Sequence, residues 1–335
     1  YFITGGTGFI GTHLTNLLHE VHPEAKIYNL DIIEPGTPLP TVKNYKPALR
    51  KGEEHAATFI YCDVRQTIEL EKVNITPEDV IFNFAAVHRT PGHPDPAYFE
   101  TNIRGAENVC AFAERHGIRK IVFTSSIAPY GAAEELKEET TLPMPNTPYG
   151  ISKLVAEKIH QIWQAGGEGR QLTIVRPGVV FGRGENGNFT RLYWGIRGHK
   201  FMYPGRKDTI KACIYVKELV RFMLYRLEHH DSGVELYNCC YEPAYTIEHI
   251  VESMKRVTNM KVKVPFMPGW LIMTAAGIAG AIGSPMGICP ARVRKLQIST
   301  NICGKKLSAS GYRFRYTFEE ALADWYKDNG NLYLQ

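Results

Sequence analysis

The sequence predicts an α/β fold: a doubly wound parallel sheet of the Rossmann type, followed by a smaller C-terminal substrate-binding domain. Three observations predict it. Strand-like apolar runs alternate with helical patterns through the first half of the chain, the order that builds parallel sheets from βαβ units. A glycine-rich turn, "TGGTGFIG" at residues 4–11, joins the first strand to the first helix. Each strand-like run ends in small or polar residues, so their carboxyl ends would line one cleft.

The chain opens on Tyr1-Phe2-Ile3, the stump of a strand. A buried parallel strand usually has about five or six residues, so a few leading residues are expected before Tyr1. Gly5, Gly8 and Gly11 follow at spacings of three. Leu14, Leu17, Leu18 and Val21 then recur at helical spacing and predict a helix over 12–21. Such a unit gathers free backbone N–H groups and the positive end of a helix dipole at one point. Glycine lets a pyrophosphate approach the backbone and lets the helix pack close to the sheet. The second strand, "AKIYNLD", ends in Asp31, 20 residues after Gly11. An acid at that offset accepts hydrogen bonds from the ribose hydroxyls of an adenosine. It also repels a 2′-phosphate, so NAD is expected over NADP. Candidate cofactor contacts here are Gly5, Thr7, Gly8, Phe9, Ile10, Gly11, Asp31 and Ile32.

Further strands are expected in "ATFIYCD" (57–63), "VIFNFAA" (80–86), "KIVFTSS" (120–126) and "LTIVRPG" (172–178), with helices over 98–116 and 148–165. The strands are nearly continuous in apolar residues, as when both faces of a sheet are covered. Residues 1–182 therefore read as the dinucleotide-binding domain. Its core is re-entered by 212–240, where "ACIYVKELVRFMLYRLEHH" and "VELYNCC" return to helix and strand patterns. Residues 183–335 are mainly the substrate-binding region, beginning with the loop "RGENGNF".

Composition narrows the function classes. The chain has 335 residues, 44% hydrophobic and 22% charged, with a net charge of +5, ordinary for a globular protein. Lysine and arginine are scattered, which helps hold an anionic small molecule but does not mark a nucleic-acid surface. Seven cysteines form no CxxC pair, so no metal site or redox motif is expected. Reduced thiols and a cytoplasmic location follow as the simplest expectation. The uncharged stretch "GWLIMTAAGIAGAIGS" (269–284) is bracketed by Pro268 and Pro285. It falls short of the roughly 20 apolar residues of a spanning helix. A buried helix or subunit contact is expected there, not a membrane segment.

The chemistry is carried by "TPYGISK". Thr147 and Pro148 are helix-start residues, and on that helix Tyr149 and Lys153, four apart, share a face. A phenol titrates near about 10, too high for a base at neutral pH. A nearby ammonium is expected to lower it. Lys153 can also hold a nicotinamide ribose. Ser126, at the end of "KIVFTSS", can donate to the same substrate oxygen. Tyr149 then takes a hydroxyl proton as hydride leaves for NAD.

These features resemble the extended short-chain dehydrogenase/reductase family, in its NAD-dependent nucleotide-sugar epimerase/dehydratase group. The resemblance rests on "TGGTGFIG", Asp31, "CDV", "NFAA", "NIRGAENV", "TSSIAPYG", "PYGISK", "RPGVVFG" and "GYRFRYTFEEALADWY", and it covers nearly the whole chain. It implies that Asp63 and Val64 contact adenine. Ala85, Ala86, Val87 and Ser125 would lie along the dinucleotide. Asn102 would buttress the site, and Pro177 and Val179 would contact the nicotinamide amide. Helices 98–116 and 148–165 would form a homodimer interface. The dehydratases and decarboxylases of this group place an acid just after the serine or threonine. Here Ile127 and Ala128 stand there, so elimination is not expected. Val179 replaces the asparagine of many uridine-diphosphate sugar enzymes. Lys211 stands where many have a phosphate-binding arginine, and Arg292 and Arg294 offer that role instead. His88, Arg89 and Asn188 complete the substrate candidates.

The expected function is an NAD-dependent epimerase of a nucleotide sugar, acting through a transient keto intermediate. The alternative is an alcohol dehydrogenase or reductase of the 3β-hydroxysteroid or dihydroflavonol type, which the apolar stretch would suit. A non-enzymatic NAD-binding regulator is disfavoured, because such relatives usually lose the tyrosine or lysine retained here.

Overall fold

The computed structural model describes residues 1–38, 45–88, 93–131, 133–231, 233–271 and 297–335. Arg89 and Arg292, and most of the apolar stretch, lie outside them. The first half runs β1 (Phe2–Thr4), α1 (Phe9–Val21), β2 (Tyr28–Asp31), β3 (Thr58–Tyr61), β4 (Val80–Asn83), α2 (Asp95–Arg115), β5 (Lys120–Thr124), β6 (Ala133–Lys137), α3 (Pro148–Ala165) and β7 (Gln171–Pro177). Then come β8 (Val179–Phe181), α4 (Asn188–Arg197), β9 (Tyr203–Pro204), β10 (Ile210–Lys211), β11 (Cys213–Tyr215), α5 (Val216–Glu228) and β12 (Val234–Cys239). The chain closes with β13 (Tyr245–Thr246), α6 (Ile247–Val257), β14 (Phe266–Met267), β15 (Thr300–Ile302), α7 (Lys305–Ala309) and α8 (Phe318–Asp328).

Seven strands pair in the order β12-β7-β5-β4-β1-β2-β3, all parallel. This is the predicted doubly wound sheet. Its apolar runs follow from burial on two sides, because successive strand residues point to opposite faces. Phe2, Ile81 and Ile121 enter the core beneath α2 and α3. Ile3, Phe82 and Val122 enter the core beneath α1 and α5. The strand β3, at the edge of the sheet, departs from the expectation of full burial: Tyr61 is 70% exposed. β12 lies beside β7, which returns residues 234–239 to this sheet.

From β1 the chain winds outward through β2 and β3, then crosses to β4 on the other side of β1. That reversal opens a crevice at the carboxyl ends of β1 and β4, where ligands of such sheets bind.

The later chain packs around a third core. Phe181, Phe189, Tyr193, Tyr215, Phe318 and Trp325 meet there beneath α4, α6 and α8. A four-stranded sheet, β13-β10-β15-β6, stands beside it. Glu218, on α5, joins the parts. Its carboxylate accepts from the backbone N–H groups of Arg315 and Tyr316, each at 2.7 Å, and from the Tyr312 hydroxyl at 2.5 Å. Thr317 and Glu320 then form a reciprocal cap that starts α8. Among the described residues the cysteines are free thiols, no metal-binding cluster occurs, and no helix is long and apolar enough to cross a membrane.

Candidate active site

The turn between β1 and α1 brings backbones closer than a side chain would allow. Gly5 has φ +70°, and a Cβ there would sit 2.7 Å from the backbone nitrogen of Ala85, just past β4. A Cβ on Gly11 would meet Gly6 at 2.6 Å. The glycines therefore seat α1 against the sheet edge. Gly8 caps α1 without any side-chain hydrogen bond, which leaves the helix start open to an anion. Phe9 and Ile10, half-buried, pack into the flanking cores.

Thr7 is fixed from three directions. Its N–H donates to Asp31 Oδ2 at 3.1 Å, its hydroxyl donates to the Ile33 carbonyl at 2.7 Å, and it accepts from Asn29 Nδ2 at 2.9 Å. The second Asp31 oxygen accepts from the Ile33 N–H at 3.2 Å. Burial pushes the Asp31 carboxyl above its ordinary value, and the N–H groups of Thr7 and Ile33 oppose that push. Ile32 beside it is exposed. Asp63 grips the Arg65 guanidinium at 2.6 Å, and that partner holds its carboxyl below the usual value. Val64 is buried against Gly105 of α2.

A clamp ties the β4 side of the crevice to the Tyr149 helix. Asn102 on α2 accepts from the Val87 N–H at 2.8 Å. It donates to the Val87 carbonyl at 3.1 Å and to the Ser152 hydroxyl at 2.8 Å. Ser152 in turn donates to the Tyr149 carbonyl at 2.9 Å. Thr147 caps α3 by accepting from the Gly150 N–H at 3.1 Å, with Pro148 as the first helical residue. Gly150 is needed there because a Cβ would meet the Ala128 carbonyl at 2.7 Å.

Tyr149 and Lys153 lie one turn apart on α3, and Ser126 follows the end of β5. The Ser126 hydroxyl accepts from the Ala128 N–H at 3.1 Å, which leaves its proton for donation. Lys153 is buried, its Nζ 4.3 Å from the centre of the Phe123 ring. The expected electrostatics need correction. Burial holds the Tyr149 phenol above its ordinary value, and the group opposing this is Ser126, not Lys153. Burial also lowers Lys153 to about 7, with Glu157 pulling it upward. A lysine whose charge is disfavoured by burial gives the phenol less support than a solvated ammonium would.

Just past β5, the Ser125 hydroxyl turns inward to donate to Glu157 Oε1 at 2.5 Å. Pro177 and Val179 flank Gly178, whose Cβ would meet the Ala212 carbonyl at 2.6 Å. Of the substrate candidates, His88 is exposed just beyond Val87. Asn188 is exposed at the start of α4 and accepts from Arg191 at 2.8 Å. Lys211 donates to the Ile298 carbonyl at 2.7 Å.

Sequence reading missed the group behind the three central residues. Glu157 lies one turn beyond Lys153 and binds Arg176 of β7 through two bonds, at 2.8 and 2.6 Å. Both are buried. The available signal was a charged residue inside an apolar strand, "LTIVRPG", and another on the apolar side of α3.

Residues 1–240 match the NAD dependent epimerase/dehydratase family. A relative, the N-acetyl-alpha-D-glucosaminyl-diphospho-ditrans,octacis-undecaprenol 4-epimerase of Escherichia coli O157:H7, is 30% identical over 328 residues, covering 96% of this chain and 92% of its own. The UDP-glucuronic acid 4-epimerase from Bacillus cereus, solved in complex with NAD, superposes with a TM-score of 0.75 at 19% identity, over 99% of this chain and 96% of its own. The UDP-N-acetylglucosamine 4-epimerase from Methanobrevibacter ruminantium M1, solved in complex with UDP-N-acetylmuramic acid, gives 0.74 at 22% identity, over 98% and 97%. The structural likenesses speak for the fold.

Proposed function

The chain belongs to the NAD-dependent epimerase/dehydratase family, and from that premise we propose that it is an NAD-dependent epimerase of a nucleotide sugar, working through a transient ketone. The observation that carries this is that Tyr149 and Lys153 share one turn of α3, which a chain of contacts ties to the glycine turn. The chain of contacts is short: Gly5 against Ala85, Val87 to Asn102, Asn102 to Ser152, Ser152 to Tyr149.

These residues fit NAD. The uncapped start of α1 would take the diphosphate. Asp31, anchored by Thr7 and Ile33, would accept from the adenosine ribose. Lys153 would hold the second ribose. NAD, when bound, supplies a hydride acceptor that returns the hydride to the other face of the same carbon. Tyr149 accepts the proton of the sugar hydroxyl and gives it back on the return. Ser126 donates a hydrogen bond to that oxygen. Lys153 favours the phenolate to the extent that it is charged. Ile127 and Ala128 supply no acid beside Ser126, so the chemistry stops at one carbon.

A second reading keeps this chemistry and places the sugar on a lipid diphosphate. The Escherichia coli relative carries such a substrate in its name. Here Phe266 on β14, and Trp270 and Leu271 just beyond it, are exposed apolar side chains, with Trp270 71% exposed. In either reading the protein works in the cytoplasm as a homodimer through α2 and α3. These helices pack together, and α3 turns Ile151, Val155 and Ile162 outward; light scattering on the purified protein tests the dimer.

The functional test is incubation with NAD and a panel of UDP-sugars and polyprenyl-diphospho-N-acetylglucosamine, followed by NMR of the sugar and absorbance of NADH. Inverted sugar without accumulating NADH is expected. Stoichiometric NADH from a sterol, with every sugar unchanged, would overturn the proposal. Tighter binding of NADP than NAD in calorimetry would overturn the role of Asp31, and Asp31→Ala should narrow the difference between the two.

A further inference from the structure

We propose that Glu157 is a positioning residue for the reaction, fixing the strand end that carries Ser126 against the helix that carries Tyr149 and Lys153. The inference rests on the epimerase reading of that site. It starts from the three elements that Glu157 joins. The residue lies on α3. Its Oε1 accepts from Ser125 of the β5 end at 2.5 Å and from Arg176 Nε of β7 at 2.8 Å. Its Oε2 accepts from the second Arg176 nitrogen at 2.6 Å. Glu157 is 1% exposed and Arg176 3%, so water does not compete for these bonds.

The bonds fall where the reaction needs precision. Ser126 is the next residue after Ser125. The backbone on either side of Ser126 is fastened to β7, with Ser125 N–H donating to the Val175 carbonyl at 2.8 Å and Ile127 N–H to the Pro177 carbonyl at 3.2 Å. Arg176 sits between those two acceptors. Its guanidinium also covers the Tyr130 ring at 4.6 Å, and the Tyr130 hydroxyl donates to Asn238 of β12 at 2.9 Å. The whole turn from Ser125 to Tyr130 is thus pinned from behind. Through Glu157 the turn is linked, side chain to side chain, to α3. Fixing the distance between Ser126 and Tyr149 is what this link can do, because a displacement of about 1 Å at a reacting centre costs on the order of 100-fold in rate.

A purely structural role predicts something different. A buried ion pair replaced on both sides by neutral groups of similar shape often leaves stability unchanged, whereas removing one partner strands a buried charge. The variants are therefore E157Q and E157Q/R176M. For E157Q we expect kcat for the epimerised sugar to fall by about 10–100-fold, with KM and the NAD dissociation constant within about 2-fold of wild type. For the double variant we expect the melting temperature to return toward wild type while kcat stays at least about 10-fold down. Recovery of kcat together with stability, or E157Q retaining more than half the wild-type kcat, overturns the proposal. A crystal structure of either variant supplies a readout that needs no activity: Ser126 Oγ should move relative to Tyr149 Oη by about 0.5 Å or more, and an unchanged separation overturns the proposal. Wild-type protein that inverts no sugar would overturn the epimerase reading instead, and the crystallographic result would still decide the role of Glu157.

Discussion

The two sides of the crevice are built differently. On the side of the chemistry, polar side chains are buried and partnered: Glu157 with Arg176 and Ser125, Asn102 with Val87 and Ser152, His160 with Asn83 and the Ala156 carbonyl. They sit behind β4, β5 and β7, strands buried on both faces. On the side assigned to substrate, β10 and β13 are two residues long. The charges there pair on the surface, as Arg206 does with Asp208 and Glu134 and Lys207 with Glu248. The difference teaches where precision is stored. Desolvated hydrogen bonds hold one geometry because the alternative is an unpaired buried group. Exposed pairs constrain little, which suits a surface that is to vary with substrate while the reaction behind it stays the same.

The largest expected effect tests the rigid side directly. Tyr149→Phe should lower the rate of sugar inversion by about 10²–10⁴-fold, the usual contribution of a general acid–base group. The melting temperature and NAD affinity should hardly move, because the lost hydroxyl serves the reaction and not the core. A variant keeping more than about a tenth of the rate would show that Tyr149 is not the base.

Next comes the seam between the two parts. Glu218→Ala would leave the N–H groups of Arg315 and Tyr316 without their acceptor. A stranded buried group costs about 1–3 kcal/mol; these N–H groups are part-buried, so urea unfolding should show a total loss of about 1–3 kcal/mol. Glu218→Gln, which keeps an accepting oxygen, should lose less. Equal losses would mean that charge, not hydrogen bonding, joins the closing segment to α5.

A smaller effect distinguishes the rigid side by pH. His13 on α1 and His160 on α3 are each lowered by burial to about 4. The unfolded imidazole takes its proton near about 6.5, so between those values the unfolded chain binds more protons than the folded one. Stability is full above pH 6.5 and falls as the pH drops toward 4. At pH 5.5 the loss should be about 1 kcal/mol for each histidine. Replacing both by glutamine should flatten the profile measured by denaturant titration, and an unchanged slope would place the titration elsewhere.

The same contrast explains what the sequence made legible. The glycine turn, Asp31 at the end of β2, and Tyr149 with Lys153 on one helical turn are local patterns, readable from spacing. So were the two-faced apolar strands and the Thr147 cap. The bonds from Asn102 to Ser152 and from Glu157 to Arg176 join elements far apart in the chain, and no local period announces them. The resemblance places Ser125 along the dinucleotide, and no local pattern announces that its hydroxyl bonds Glu157 of α3 instead of standing free. The electrostatics of Tyr149 and Lys153 depend on burial, which spacing does not report. The two-residue strands of the substrate side have no repeating pattern. Arg89 and Arg292 lie outside the described residues, and the substrate side stays the less legible half for both reasons.

The smallest expected effect is on that half. Arg206 makes two ion pairs, to Asp208 at 2.8 Å and to Glu134 at 2.8 Å, with side chains 35%, 73% and 49% exposed. Geometry alone would rank it with Arg176, which also makes a doubled contact with a carboxylate. Solvent reverses the ranking. In water the Coulomb gain is small, salt screens it, and ordering long side chains offsets much of the remainder. Arg206→Ala should therefore change the unfolding free energy by less than about 0.5 kcal/mol, and raising the salt to about 0.5 M should remove most of that difference by shortening the screening length. Glu134 also accepts from the Ser299 N–H at 2.9 Å, so β6 keeps an anchor to the chain before β15 without the arginine. A loss of 2 kcal/mol or more, undiminished by salt, would show that this surface is held as firmly as the buried side. The division between a fixed reaction geometry and an adaptable recognition face would then have to be given up.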